Sequence, residues 1–214
     1  MIKNYSCKND YYTQVNNKSY PLTSCKNTSV IMALNQAGWT EEVKQMEIET
    51  LFDGLQPEDL LTELAYFRGY REFAKKKTPW FFEGDKPQVP MHEIPQVTVK
   101  QVHDLVGKVA SLVENYSLSY IVNKLDNGFG IAALGELVTP DHKKYNHVVS
   151  IAGYEIDNGY VSHIIIDDPF GDFHTGYRDR NGNNVRMTNK QFKEFFLTNL
   201  YKWIILINPR GDYV

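Results

Sequence analysis

The dipeptide Asn158-Gly159 constrains this chain more than any other feature. It sits in Ile156-Asp157-Asn158-Gly159-Tyr160, between apolar runs at 147–154 and 160–168. Both residues reach positive φ at little cost, and such a pair between apolar runs closes a tight antiparallel hairpin. A two-residue turn opposes Asp157 to Tyr160, so paired residue numbers sum to 317. Val149 then faces Asp168, and His147, two residues along, lies on the same face within diagonal reach. Asp167 and His163 point to the other face. A three-residue loop or one bulge would exchange Asp167 for Asp168, so pairing alone leaves both open. Pro169 holds Asp168 extended.

A histidine oriented by a carboxylate is half of a nucleophilic site. The other half is in Thr23-Ser24-Cys25-Lys26-Asn27-Thr28-Ser29-Val30-Ile31-Met32-Ala33-Leu34-Asn35. Val30, Ala33, Leu34 and Ala37 recur at helical spacing and Gly38 ends the run. Cys25 falls at the helix N-terminus, off the apolar stripe, where free N–H groups and the helix dipole favour thiolate. Lys26 would add to this if its ammonium lies near the sulfur. The alternative is an inert core cysteine. His142, in the turn before His147, is the nearest rival base; His92, His103, His163 and His174 lie in polar or structural contexts. Oxyanion donors would be the Cys25 N–H and an upstream amide. Gln14 is the candidate, with Asn16, Asn17 and Asn27 as local alternatives.

The remaining segments read as follows. Tyr11 to Val15 is expected to be a short strand. Residues 40–53 and 57–70 read as helices, the first with Thr40 as cap and Glu41-Glu42 in its first turn. Residues 75–97, rich in Pro, Gly and aromatics, read as a long loop or small insertion. Trp80, Phe81 and Phe82 either pin it to the core or form a substrate rim. One or two helices are expected over 98–125, a buried strand over 129–139, a helix over 188–200 and a last strand over 202–207. The simplest organisation is one domain, 1–214, with a helical part to about 128 and a sheet part after it.

Composition narrows the function. Net charge is −3, and the one basic cluster, Lys75-Lys76-Lys77, is short, so no nucleic-acid partner is expected. No apolar run approaches the roughly 18 residues of a membrane span. The polar start, Met1-Ile2-Lys3-Asn4-Tyr5-Ser6-Cys7, lacks a signal-peptide core. The expected location is therefore cytoplasmic, or outside the cell with release by another route. Two cysteines, Cys7 and Cys25, do not make a disulfide framework, and a bridge between them would remove the thiol.

Taken together these residues resemble the C39-type branch of the papain-like cysteine peptidases, especially the stand-alone C39-like domains of bacteria and phages. The family pattern places a glutamine before Cys-x-x-Thr-Ser and an apolar helix ending in Gly. Here these are Gln14, then Cys25-Lys26-Asn27-Thr28-Ser29 through Gly38. It continues with His-apolar-apolar-apolar-x-Gly-Tyr, matched by His147-Val148-Val149-Ser150-Ile151-Ala152-Gly153-Tyr154, and closes with Asp168-Pro169-Phe170-Gly171. The two ends of the chain carry the resemblance; residues 40–125 contribute little.

The resemblance implies an α+β, papain-like fold, with the nucleophile helix packed on an antiparallel sheet. It implies Cys25 as nucleophile, His147 as base, Asp168 as orienting carboxylate and Gln14 as oxyanion donor. The implied reaction is hydrolysis of a peptide or isopeptide bond through an acyl-thioenzyme, with no metal or organic cofactor. The substrate would be a peptide, a protein or a cell-wall peptide such as a peptidoglycan stem or cross-bridge. Many members carry Gly after the cysteine, where this chain has Lys26. The alternatives are a silent papain-like domain that binds a peptide, protein or cell-wall ligand, and a thiol amidase or acyltransferase.

Overall fold

The computed structural model describes residues 1–5, 11–17, 24–51, 82–83, 86–87, 94–198 and 202–211. The expected helix at 57–70, Cys7 and the aromatic rim at Trp80 and Phe81 lie outside them. Nine strands are present among the described residues: β1 (Ile2–Asn4), β2 (Phe82–Glu83), β3 (Lys86–Pro87), β4 (Ala110–Val113), β5 (Gly130–Val138), β6 (Lys144–Asp157), β7 (Tyr160–Asp167), β8 (Val185–Thr188) and β9 (Trp203–Ile207). The helices are α1 (Cys25–Gln36), α2 (Thr40–Leu51), α3 (Ile94–Val106), α4 (Leu118–Asp126) and α5 (Asn189–Phe192). A π turn, Lys193–Leu197, continues α5.

The main sheet is antiparallel throughout, in the order β4-β9-β5-β6-β7-β8, with β1 also on β6. β5 pairs with β6 only as far as Ser150, and β1 takes residues Gly153 to Glu155 beyond it. Both faces are covered, which explains why Ile131 to Leu134 of β5 and the whole of β9 read as unbroken apolar runs rather than alternating ones. Ile131, Ala133, Ile204 and Leu206 face one core with α4 and the phenylalanines of α5 and its π turn. Ala132, Leu134, Ile205 and Ile207 face the other, with α1, α2 and Val102 of α3. Ile31 and Leu34 of α1 are fully buried there, each worth about 1.5–3 kcal/mol of transfer free energy.

Asn158 and Gly159 adopt φ of 50° and 81°, as a primed hairpin turn requires. The register is less simple than expected. Asp157 pairs with Tyr160 and Ile156 with Val161, then Ser162 is extra on β7 and Glu155 pairs with His163. Ala152 is next extra on β6, so that Ile151 meets Ile166 and Ser150 meets Asp167. The two bulges lie on opposite strands and cancel, which restores the simple sum near the site.

Three expectations fail here. Residues Gln14–Asn16 form a 3-10 turn, not a strand. Between 98 and 125 the chain is not purely helical: it leaves α3 at Gly107, where φ is 106°, and pairs β4 with β9. Val109, Leu112 and Val113 continue the apolar spacing of Val102, Leu105 and Val106, so periodicity alone could not see the change. Consequently the sheet draws two strands, β1 and β4, from the part of the chain read as helical.

The Gly153-Tyr154 pair serves the fold. A Cβ on Gly153 would lie 2.3 Å from the Lys3 carbonyl oxygen, so only glycine lets β1 approach. Asp126, at the C-terminal end of α4, accepts from Tyr154 Oη at 2.7 Å, Tyr5 Oη at 2.5 Å and Lys3 Nζ at 2.9 Å. A carboxylate is unfavourable at that helix end, and the three donors offset this. Asp126→Ala is expected to raise amide exchange of residues 2–4 about tenfold while leaving β6–β7 unchanged, as charged hydrogen bonds of this kind carry that weight. Unaltered exchange in β1 would show that backbone pairing alone holds it.

Candidate active site

Cys25 is the first residue of α1 and a half-buried free thiol. One turn further along the same helix face, fully buried Ser29 donates to the Val148 carbonyl at 2.9 Å. The Val148 N–H serves the same helix, donating to the Cys25 sulfur. Both backbone groups of one β6 residue therefore hold α1 against the strand, and His147 is its neighbour. The sequence reading places Ser29 in the Cys-x-x-Thr-Ser pattern but gives it no role, although a serine four residues after the cysteine shares its helix face.

His147 is 7% exposed and Asp168 fully buried. The His147 Nε2 lies 2.6 Å from Asp168 Oδ1. This leaves Nδ1 as the ring nitrogen for the Cys25 sulfur, to which His147 is also hydrogen bonded. The same Asp168 oxygen accepts the Phe170 N–H at 2.9 Å, and Oδ2 faces the Tyr177 hydroxyl at 3.4 Å. Asp167 points away and caps the Asn184 N–H at 2.8 Å. Of the two carboxylates, Asp168 is therefore the one that lies against the imidazole. His142 is exposed in the turn before β6.

The upstream segment joins both sides of this cluster. Gln14 is buried; its N–H donates to the Pro169 carbonyl at 2.9 Å, as does Thr13 Oγ1 at 3.1 Å. Tyr11 Oη donates to the Asp168 carbonyl at 2.8 Å. At the other end, the Asn17 amide donates to Ser24 Oγ, directly before Cys25, and meets Thr28 Oγ1 at 3.5 Å. Residues 11–17 therefore span from the Asp-Pro loop to the start of α1. Of the other amides, Asn16 is exposed, Asn17 is committed to Ser24, and Asn27 is buried on α1.

An aromatic wall flanks the imidazole. The Phe170 and Tyr177 rings lie 6.5 and 6.2 Å from the His147 ring and 5.0 Å from each other. Tyr177 is buried in the left-handed region at φ 62°, uncommon for a bulky residue. Nothing in its loop sequence signals this placement.

The charges are coupled. Burial pushes the Cys25 thiol up, but the His147 imidazolium and the Val148 N–H outweigh burial and leave it below the ordinary thiol value. Burial likewise pushes His147 down, but the Asp168 carboxylate and the Cys25 thiolate together raise it to about 10. Both shifts act in the same sense, favouring a thiolate–imidazolium pair backed by a carboxylate. Burial lowers half-buried Lys26 to about 8, with Cys25 pulling it back up.

A thiolate at a helix N-terminus, an imidazolium within reach and a carboxylate behind it can attack a carbonyl and protonate a leaving group. The comparisons with known proteins agree with such a fold. A crystal structure from Bacillus anthracis, of a protein provisionally described as a C39-like peptidase, matches with a TM-score of 0.56. The match covers 99% of this chain and 100% of that one at 13% sequence identity. That likeness bears out the α+β, papain-like fold. No curated protein sequence matches the chain. No helix among the described residues is long and apolar enough to cross a membrane. The model of the Peptidase_C39 like family matches residues 8–196, a span that takes in Gln14, Cys25, His147 and Asp168, and by that match the chain belongs to the Peptidase_C39 like family.

Proposed function

We propose that the chain is a cysteine peptidase-type hydrolase that cleaves a peptide or isopeptide bond through an acyl-thioenzyme. The observation that carries this reading is the 2.6 Å contact of His147 Nε2 with Asp168 Oδ1, which turns the other ring nitrogen to Cys25. The Cys25 thiolate attacks the carbonyl carbon, and the electron pair of the C=O bond moves to oxygen. The Cys25 N–H and the Gln14 amide receive that oxyanion. His147 gives its proton to the leaving amine as the C–N bond breaks. Water then attacks the thioester, its proton going to His147, and the sulfur departs with the bonding pair as thiolate. Asp168 stays ionised and orients the imidazole throughout. No metal or organic cofactor enters this sequence. Peptides, proteins and cell-wall stem or cross-bridge peptides are the substrate classes that membership of the family recommends.

The test is incubation with peptide mixtures and peptidoglycan fragments in heavy-oxygen water, followed by mass spectrometry. One heavy oxygen is expected in each new carboxyl, and none from the Cys25→Ser protein, whose turnover falls at least about 100-fold. Products joined to an added amine instead would make the chain an acyltransferase. A Cys25 thiol titrating near the free value of about 8.5 would sink the hydrolase reading and favour a binding module.

A further inference from the structure

Lys26 stands where it should be penalised twice. It lies in the first turn of α1, at the positive end of the helix dipole, and it is half-buried. Elsewhere among the described residues, Lys3, Lys100, Lys143, Lys144, Arg186 and Arg210 each meet a carboxylate, and Lys108, Lys190 and Lys193, which do not, are exposed to water. Lys26 has no hydrogen-bond or ion-pair partner of any kind among them. Its one charged neighbour is the Cys25 thiolate, which is already served by His147 and the Val148 N–H. Once the sulfur is acylated it carries no charge, and Lys26, the next residue on α1, is left with no anion beside it among the described residues. Asp168 cannot serve, being fully buried behind the imidazole with His147, Phe170 and Tyr177 around its oxygens.

We propose that Lys26 is a specificity-determining residue that selects substrates bearing a carboxylate next to the bond that is cleaved. This rests on the reading of Cys25 as nucleophile. A substrate carboxylate there would supply the missing counter-charge and offset both penalties, whereas a neutral substrate would leave them standing. A peptide with an acidic side chain or a free carboxyl at the residue flanking the scissile bond fits this chemistry.

The experiment compares two alkylating probes of equal size and opposite character, iodoacetate and iodoacetamide, at pH 6.5 and low salt. In each, the thiolate displaces iodide, an S–C bond replaces a C–I bond, and iodide leaves with the electron pair. Only iodoacetate places a carboxylate one bond beyond the reacting carbon. Both probes react with the same thiolate, so the ratio of their rates is independent of how much thiolate is present. Lys26→Gln is expected to lower the iodoacetate-to-iodoacetamide ratio about fivefold, an effect that fades in 1 M salt. Lys26→Arg, which keeps the charge, is expected to retain most of the parent ratio. Lys190→Gln removes the same charge from an exposed position on α5 and is expected to leave it unchanged. A ratio in Lys26→Gln within a factor of about 1.5 of the parent overturns the proposal. So does an equal fall in Lys190→Gln, which would make the effect one of net charge. If the parent reacts with both probes at the slow rate of an ordinary thiol, the activated pair fails, yet the ratio still decides the role of Lys26.

Discussion

His147→Ala is expected to slow alkylation of Cys25 by iodoacetamide about 100-fold at pH 6.5, because a free thiol of pKa about 8.5 is only about 1% thiolate there. In the parent, the imidazolium holds the thiol below its ordinary value against a burial effect of opposite sign. Removing the ring leaves burial in command, and the thiol rises. The signs of the two shifts define the window. Thiolate is present above the depressed pKa of Cys25 and lost as pH falls through it. Imidazolium is present until pH rises through about 10. The parent alkylation rate should therefore be flat from the depressed value upward, and still flat above 10, since alkylation needs only thiolate. Hydrolysis should fall above about 10, where no proton remains for the leaving amine. The variant should instead show a single rise near or above 8.5. Equal parent and variant profiles would mean that His147 and Cys25 do not share a charge equilibrium.

The parts of this arrangement that were legible from sequence share a physical reason: they depend on local chemistry with few alternatives. Asn158-Gly159 admits one turn, and the turn sets which face Asp168 shares with His147. The cysteine at the head of an apolar helix is legible because capping and periodicity act over one turn. The bulges at Ser162 and Ala152 were not legible, and either alone would have reversed the choice of carboxylate. Asp168 lies against His147 because the two cancel, not because the strands are regular. The strand expected around Gln14 is a 3-10 turn: the Gln14 N–H donates to the Pro169 carbonyl, the Gln14 carbonyl accepts from the Asn17 N–H and the Thr13 side chain caps Val15, with no neighbouring strand involved. Pro169 lies more than 150 positions away, and no local pattern encodes that partner. Tyr177 illustrates the same limit. Its inward placement follows from a left-handed backbone in a glycine-rich loop, and side-chain type gives no hint of it. Ser29 was within reach, since a buried serine on the face of the cysteine needs a partner, and the nearest strand offers one.

Gly130→Ala is expected to destabilise the protein by roughly 3 kcal/mol or more, at the upper end of overpacking changes, and to lower Tm by about 6–12 °C. A Cβ at Gly130 would lie 1.8 Å from the Ala33 carbonyl oxygen and 2.6 Å from its carbon. Both are backbone atoms of α1, so no side-chain rotation relieves the clash. Either β5 or α1 must move. β5 is held on two sides, by β6 and β9, so the helix is the softer partner. Its other anchor is the Ser29 hydroxyl on the Val148 carbonyl at 2.9 Å, one turn below Cys25. Tilting α1 off the sheet strains that bond and draws the sulfur away from the Val148 N–H and from His147 together. The stability loss should therefore be accompanied by a thiol titration displaced toward that of His147→Ala. Calorimetry and the alkylation profile read the two effects separately. A Tm within about 2 °C of the parent would show that the sheet can absorb a methyl group at this contact. A large fall in Tm with an unchanged thiol profile would show that the Cys25–His147 geometry does not depend on how closely α1 is seated on β5.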